Sequence, residues 1–398
     1  MRRRDFPKAL ALTAAAGSLV VAGQAGAQTT SYPRGHFFRY LTAAQRTAFE
    51  NNNTAVALSA ELQAWINDCY AEPRVAGYMP KGTALTTQTL QIPGAVVLRG
   101  DGAESVIKSA GCDCMQINGH RVTIESLTFQ GSGRMHSGIV VKGTSGPDNA
   151  LSVFTGRDLT LGGFLYAING EYMQLSVLDN IEVGNSHYGV RLFGECVNVS
   201  ISNSRINLAS HKEGNVEYPW GAACIVASND TVAGTHGEGL LVTNCLLTSA
   251  DSAFKANGWF LAAGFYNCIC DLLKGVAFDL KDVRSFTFNG PWVYSQNACF
   301  SWPNPGAETI IGASITVGRA ETLGPDNVIY WGANNKGLSV LGGQLVLMNS
   351  PGYPLMIHGS QASVVGVNII RPAVGMPGAW VTGTDVHLIG VTGNNTQD

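Results

Sequence analysis

Val177-Leu178-Asp179-Asn180-Ile181, Ser200-Ile201-Ser202-Asn203-Ser204, Leu241-Val242-Thr243-Asn244-Cys245, Phe265-Tyr266-Asn267-Cys268 and Thr287-Phe288-Asn289-Gly290 share one pattern. Each has a short apolar run, an asparagine, and a second short apolar run. The asparagines stand 23, 41, 23 and 22 residues apart, so the 41 reads as one period plus an insertion of about 18 residues. A repeat of roughly 20 to 25 residues built from β-type segments is the mark of a solenoid. Asparagine suits the bend between two strands because it tolerates left-handed backbone angles and bonds neighbouring backbone. In stacked coils its amide also reaches the asparagine above and below. The pattern predicts an asparagine ladder in a single-stranded, all-β parallel β-helix of roughly 11 to 12 coils.

The rest of the composition agrees. Only 13% of the 398 residues are charged, while 48 are glycine and 45% are hydrophobic. Ordinary domains carry about 25% charged residues. Few charges and many glycines fit short strands joined by tight bends. One elongated solenoid fits this length because each repeat needs only its neighbours. The net charge of -3 argues against a nucleic-acid binder. Nine cysteines are an odd number. Cys112-x-Cys114 and Cys268-x-Cys270 place sulfurs on one strand face, and Cys245 and Cys268 hold equivalent positions; all read as apolar core residues. Zinc spacings of the Cys-x-x-Cys type are missing, and no metal or cofactor is expected.

Residues 1–27 read as an export signal. Arg3-Arg4-Asp5-Phe6 is similar to a twin-arginine motif, an apolar run follows from Ala9 to Ala22, and Ala25-Gly26-Ala27 supplies a cleavage site. The run is short and Ala-rich for a membrane span, which leaves an uncleaved anchor as the plain alternative. The mature chain is therefore expected in the periplasm or outside the cell, with no membrane segment. Residues 28–94 form an N-terminal segment whose Thr54–Tyr70 stretch predicts an amphipathic helix. Leu58, Leu62, Trp65, Ile66 and Cys69 follow its period, with Asn53 or Thr54 as its cap. It would cover the open first coil. Residues 95–398 are assigned to the β-helix. No C-terminal cap is evident, which leaves a homo-oligomer, such as a trimer, or a covering loop to close that end. Beyond Asn289 the ladder weakens, with Ser314 and Gly343 near the equivalent positions.

Three further segments carry a family likeness. Asn53-Thr54-Ala55 through Trp65-Ile66-Asn67, then Gly77-Tyr78-Met79-Pro80-Lys81-Gly82-Thr83, then Leu98-Arg99-Gly100-Asp101-Gly102 resemble the start of secreted and phage-borne right-handed β-helix proteins. These form the pectate-lyase and rhamnogalacturonase superfamily, which includes tailspike depolymerases. The likeness spans roughly residues 36 to 107. The family's paired aspartates before the helix are missing from Tyr40–Asn53, and Ala84 stands where it places an aromatic. The resemblance implies an exported enzyme that cleaves a polysaccharide or oligosaccharide, as a lyase or glycosidase. A non-catalytic carbohydrate-binding protein and a cyclising fructosyl transferase remain as alternatives.

Three groupings offer chemistry. Aligning Gly189–Phe193, Ala253–Asn257 and Ala277–Lys281 turns Val190, Phe254 and Phe278 inward and Arg191, Lys255 and Asp279 outward. Such a stripe neutralises a sugar carboxylate and removes the proton beside it; a surface ion pair is the plain alternative. His136 and His187 each stand two residues before the glycine that opens such a strand, as acid, base or sugar ligand, or as solvated turn residues. The insertion Leu208–Gly239 concentrates Glu213, Glu217, Tyr218, Trp220, Asp230, His236 and Glu238. Its aromatics suit stacking on sugar and its acids suit hydrolysis, unless it is a solvated bulge. Polygalacturonase motifs do not appear in order: only Ser228-Asn229-Asp230, Thr235-His236-Gly237 and Arg205-Ile206-Asn207 approach them. No nucleotide fingerprint or nucleophile elbow occurs.

Overall fold

A computed structural model describes residues 32–394 except 73–74, 144–152, 214–215, 229–236, 257, 259, 282, 304–310, 325, 349–351 and 372–377. The export signal lies outside the described residues. A 12-stranded parallel sheet takes one strand from each turn, from Leu90–Ile92 to Ala379–Val381. A 22-stranded parallel sheet takes the other strands, two per turn across most of its length. Successive turns therefore stack by one strand spacing, about 4.8 Å. Inward side chains fill one continuous core. Val190, Phe254 and Phe278 are fully buried in it, while Arg191, Lys255 and Asp279 face outward.

The ladder runs up the outside of the corner between the paired strands of the larger sheet. Asp158, Asn180, Asn203, Asn244 and Asn267 all adopt left-handed backbone, with φ between 51° and 54°. The Asn267 amide donates to Asn244 at 2.9 Å, and the Asn244 amide to Asn203 at 3.2 Å. Below them the acceptors are acids: Asn203 donates to Asp179 at 2.8 Å and Asn180 to Asp158 at 2.6 Å. Asn289 does not join. It pairs with Tyr266 rather than Asn267, inside the unbroken strand Phe286–Ser295. Ser314 likewise sits within Ile311–Thr322. The bend returns at Gly342, Gly366 and Gly390, with φ of 65°, 65° and 59°. They align because Leu341, Val365 and Ile389 pair in register. The corner position is thus Gly342, one residue before the expected Gly343.

Two helices precede the coils. α1 (Ala43–Glu50) was not evident in the sequence; it opens with a reciprocal Thr42–Gln45 capping box and buries only Phe49. α2 (Ser59–Ala71) starts five residues after the expected Thr54. Ala57 bridges to Leu85, and the Leu58 N–H donates to the Leu85 carbonyl at 2.7 Å, which holds that segment in strand geometry. α2 covers the first coil with Leu62, Trp65, Ile66 and Cys69. Its Gln63 side chain replaces a missing strand: it accepts from Gln91 N at 2.8 Å and donates to Gln91 O at 2.9 Å.

The segments with a family likeness have structural jobs. Gly82 has φ 146°, and a Cβ there would lie 2.4 Å from the Phe49 ring, so no other residue fits. Asp101 accepts from the Tyr78 hydroxyl at 2.8 Å and the Lys81 N–H at 3.1 Å, locking the first turn.

The stretch Leu208–Gly239 is not one insertion. It contains a full strand of the 12-stranded sheet, Gly221–Ser228, paired with Tyr188–Phe193 below and Ala250–Ala256 above. The extra residues lie before and after that strand in the chain. The first loop, before it, contains an antiparallel pair, His211–Glu213 with Val216–Tyr218, and residues 229–236 after it lie outside the described residues.

Candidate functional site

The outer face of the 12-stranded sheet carries the stripe. Register aligns Arg191 with Val226, Val226 with Lys255, and Lys255 with Asp279. Lys255 and Asp279 are 3.8 Å apart, and both are partly exposed. Val226 separates Arg191 from Lys255 by two strand spacings, about 10 Å. Arg191 is held by its own surroundings. Its guanidinium donates to Asn169 at 3.3 Å and lies 4.3 Å from the Phe193 ring and 5.2 Å from the Tyr166 ring.

His136 and His187 enter this face in the same phase. The His136 carbonyl accepts from Leu165, and the His187 N–H donates to Phe164 in that same intervening coil. His187 packs edge-on against Tyr188 at 4.6 Å, and Tyr188 stacks on Tyr166 at 4.9 Å. Trp220 reaches the same side from the first loop. Lys274 lies 4.3 Å over its ring, and Arg134 anchors the loop by donating to the Pro219 carbonyl and, at 3.1 Å, to the Asn185 carbonyl.

The loop candidates divide around Gly221–Ser228. Glu213 and Glu217 precede it, in register with Val216 and Lys212, and Tyr218 opposes His211. Glu238 follows it, bridged to Val197 at the opposite margin of the sheet. The grouping of Glu238 with Trp220 is therefore corrected: the width of the sheet separates them. Asp230 and His236 lie outside the described residues.

Residues the sequence reading passed over complete the face. Asp251 stands opposite Ala222, between the paired Gly221–Ala250 and Ala223–Ser252. Ala222, a small outward residue, leaves a shallow trough between the His187–Tyr188 coil and the Asp251–Lys255 coil, with Ala223 buried beneath it. Burial holds the His187 imidazole below its ordinary value; Arg134 adds to this and Asp251 opposes it. Burial raises the Asp251 carboxyl, against the pull of Lys274, His187 and Lys255. Asp279 is raised by burial, against Lys255 and Lys281. Burial and Tyr166 raise the Tyr188 hydroxyl, against Arg191. The arrangement joins a neutral imidazole, a protonated phenol, two aromatic rings and several cations around one trough. Among the described residues no group of three or more His, Cys, Asp or Glu side chains suits a metal ion, and no helix is long and apolar enough to cross a membrane.

No family model and no curated protein matches the chain. Solved structures do. The catalytic unit of a thermostable GH87 α-1,3-glucanase from Streptomyces thermodiastaticus superposes with a TM-score of 0.52 at 13% identity, covering 83% of this chain and 66% of that one. The Dettilon tailspike protein gives 0.47 at 12% identity, over 85% and 66%. The Streptococcus pneumoniae surface adhesin PfbA gives 0.48 at 10%, over 90% of each. The chain spans just under two thirds of the length of the first two. The glucanase likeness is one of fold: the chain is a parallel β-solenoid of the right-handed β-helix type.

Proposed function

We propose that this face cleaves an acidic polysaccharide by elimination. The observation that carries the reading is the half-buried His187 against Tyr188, on a face that also presents Arg191, Lys255 and Lys274. Arg191, whose charge reaches Tyr188, neutralises the carboxylate of the reacting sugar, and Lys255 meets that of another unit along the chain. That charge stabilisation acidifies the neighbouring C–H, and His187, uncharged at neutral pH, takes the proton. The electron pair forms a carbon–carbon double bond as the glycosidic C–O bond breaks. Tyr188 gives its proton to the leaving oxygen. Tyr166 and Trp220 offer apolar faces to the flanking sugars.

Hydrolysis by the acids of this face fits less well. Asp251 lies four residues before Lys255, the partner of Asp279. Four residues of strand span about 13 Å, and glycosidases hold their two carboxyl groups about 5 to 9.5 Å apart. The GH87 glucanase unit shares the architecture, so polysaccharide chemistry is at home on this scaffold. With residues 1–27 as an export leader, the enzyme would act in the periplasm or outside the cell.

The test is a panel of polyuronates with ultraviolet detection of unsaturated products. His187→Ala lowers kcat by about 10²–10⁴ with an unchanged melting temperature. Reducing ends without an unsaturated product, or full turnover by His187→Ala, would sink the reading.

A further inference from the structure

The outward row does not stop at Asp279. Register continues through Ser301, Tyr330 and Met356 to Trp380, four strand spacings or about 19 Å further along the solenoid. Its character changes on the way. Tyr330 stands edge-on to His358 at 5.9 Å, His358 to Trp380 at 5.4 Å, and Trp380 leans on Tyr353 at 5.2 Å. These rings are positioned rather than loose. The His358 ring nitrogen bonds the Thr382 hydroxyl at 2.6 Å, and the Arg371 guanidinium lies 6.0 Å over Tyr353. Yet Trp380 remains 45% exposed.

Between this cluster and Asp279 lies a cavity of about 230 Å³ lined by Ser301, Asp326, Asn327 and Tyr330. Asn327 joins the two features: its side-chain oxygen accepts from Tyr353 N at 3.3 Å and its amide meets the Met356 sulfur at 3.7 Å. An exposed aromatic platform beside a small polar hollow has the two faces of a sugar ring in complement. C–H groups lie on rings, and hydroxyls meet carboxylate and amide. A core residue needs no such exposure: Trp380 is exposed and Tyr330, Tyr353 and His358 are partly exposed beside it, and such a surface cluster of rings marks a binding site.

We propose that the Tyr330–Tyr353–His358–Trp380 cluster and its adjoining hollow form a remote subsite for the same polysaccharide, several sugar units from the trough. The proposal rests on the polysaccharide reading above. One glycan lying along the row would engage both places at once, so binding strength grows with chain length. The enzyme then favours internal bonds of long polymers over short oligomers.

The experiment separates binding from turnover. Retardation of the protein in native gels cast with alginate or polygalacturonate is measured for wild type, Trp380→Ala, Tyr353→Ala and Trp380→Phe, beside turnover of polymer and of a trisaccharide. The expected result is about tenfold weaker retention for the alanine variants, the loss of one aromatic anchor. Trp380→Phe recovers most of it. KM for polymer rises similarly, while kcat and trisaccharide turnover stay as in wild type. Equal retention of Trp380→Ala and wild type overturns the subsite and leaves the cleavage reading standing. So does a change confined to oligomeric state by light scattering, which would make the cluster a contact between copies. Retention that depends on Trp380 without any turnover overturns the cleavage reading alone. A wild type retarded by neither polymer overturns the subsite, while the product assay still judges cleavage.

Discussion

The two halves of the solenoid turn the same corner by different means. From Asp158 to Asn267 every coil bends at a residue with a short polar side chain, and those side chains bond up the stack. From Gly342 to Gly390 the same backbone angle is held by glycine, which has nothing to bond. Between them the corner opens out. Phe286–Ser295 and Ile311–Thr322 run straight through it, and a cavity of about 540 Å³ lined by Asn267, Asn289 and Gly342, among others, marks the gap between the two series. The cores differ too. The coils that bend at Asn180 and Asn203 are filled by aliphatic residues such as Ile181, Val183, Ile201 and Ile206. The later ones hold a continuous row of rings from Phe254 through Phe265, Phe278 and Phe300 to Trp331. The ring row begins in the coils bent at Asn244 and Asn267 and continues through those with straight corners, so ring packing does not depend on the shape of the corner.

The sharpest way to break that comparison is to remove a ring. Phe278 lies parallel to Phe300 at 5.0 Å and also touches Phe265, Phe286 and Phe288. Phe278→Ala is expected to cost about 3–5 kcal/mol. Ile206→Val, fully buried among aliphatic neighbours, is expected to cost about 0.5–1.5 kcal/mol. Chemical denaturation midpoints at constant slope measure both. Comparable losses would mean that the ring row carries no special share of the packing.

Corner swaps come next in size. A Cβ at Gly366 meets no atom within 4 Å, so Gly366→Ala is opposed by backbone angle alone, a cost of about 1–2 kcal/mol. Gly366→Asn, a residue that visits this region readily, should recover much of that loss. In the ladder, Asn244→Ala loses both the tolerant backbone and the contacts to Asn203 and Asn267. Asn244→Gly restores the backbone and leaves only the ladder bonds missing, each exposed and worth about 0.5–1 kcal/mol. If Asn244→Gly melts with wild type, the asparagines are there for their backbone angle and the amide stack adds nothing.

Much of this architecture is legible in the sequence, for one reason. A strand buried on one face must alternate, so Val190, Phe254 and Phe278 could be separated from Arg191, Lys255 and Asp279 by parity. The period then stacked them. Gly221-Ala222-Ala223-Cys224-Ile225-Val226-Ala227-Ser228 escaped because its outward positions are also apolar or small, so it shows no alternation. Without it, the segments before and after the strand looked like one insertion, and Trp220 and Glu238 looked like neighbours. Asp251 escaped because the strand Ala250–Ala256 begins before its apolar alternation does. Tyr188 sat beside the noticed His187, but its stacking on Tyr166 is a contact between coils that only the register fixes. α1 escaped because eight residues with one buried side chain carry little period.

The smallest expected effect contrasts two acids, one from the ladder and one from the outward stripe. Hydrogen bonds from Ser202 and then Asn203 hold the Asp179 carboxyl below its ordinary value. The unfolded chain therefore binds that proton more readily, and the stability Asp179 contributes is present above the ordinary carboxylate range and lost as pH falls through it. Asp279 has the opposite sign. Burial raises its carboxyl, with Lys255 and Lys281 opposing, so the folded chain binds the proton more readily. Its contribution is greatest at low pH and is lost as pH rises from the ordinary carboxylate value through the raised one. Melting temperatures across an acid pH series should show Asp179→Asn losing part of the acid-side decline of wild type. Asp279→Asn should remove a loss that wild type suffers as pH rises, offset by less than about 1 kcal/mol for the exposed pair with Lys255. Matching signs for the two variants would mean that the cations Lys255 and Lys281 outweigh burial at Asp279, and that the outward stripe is well solvated there.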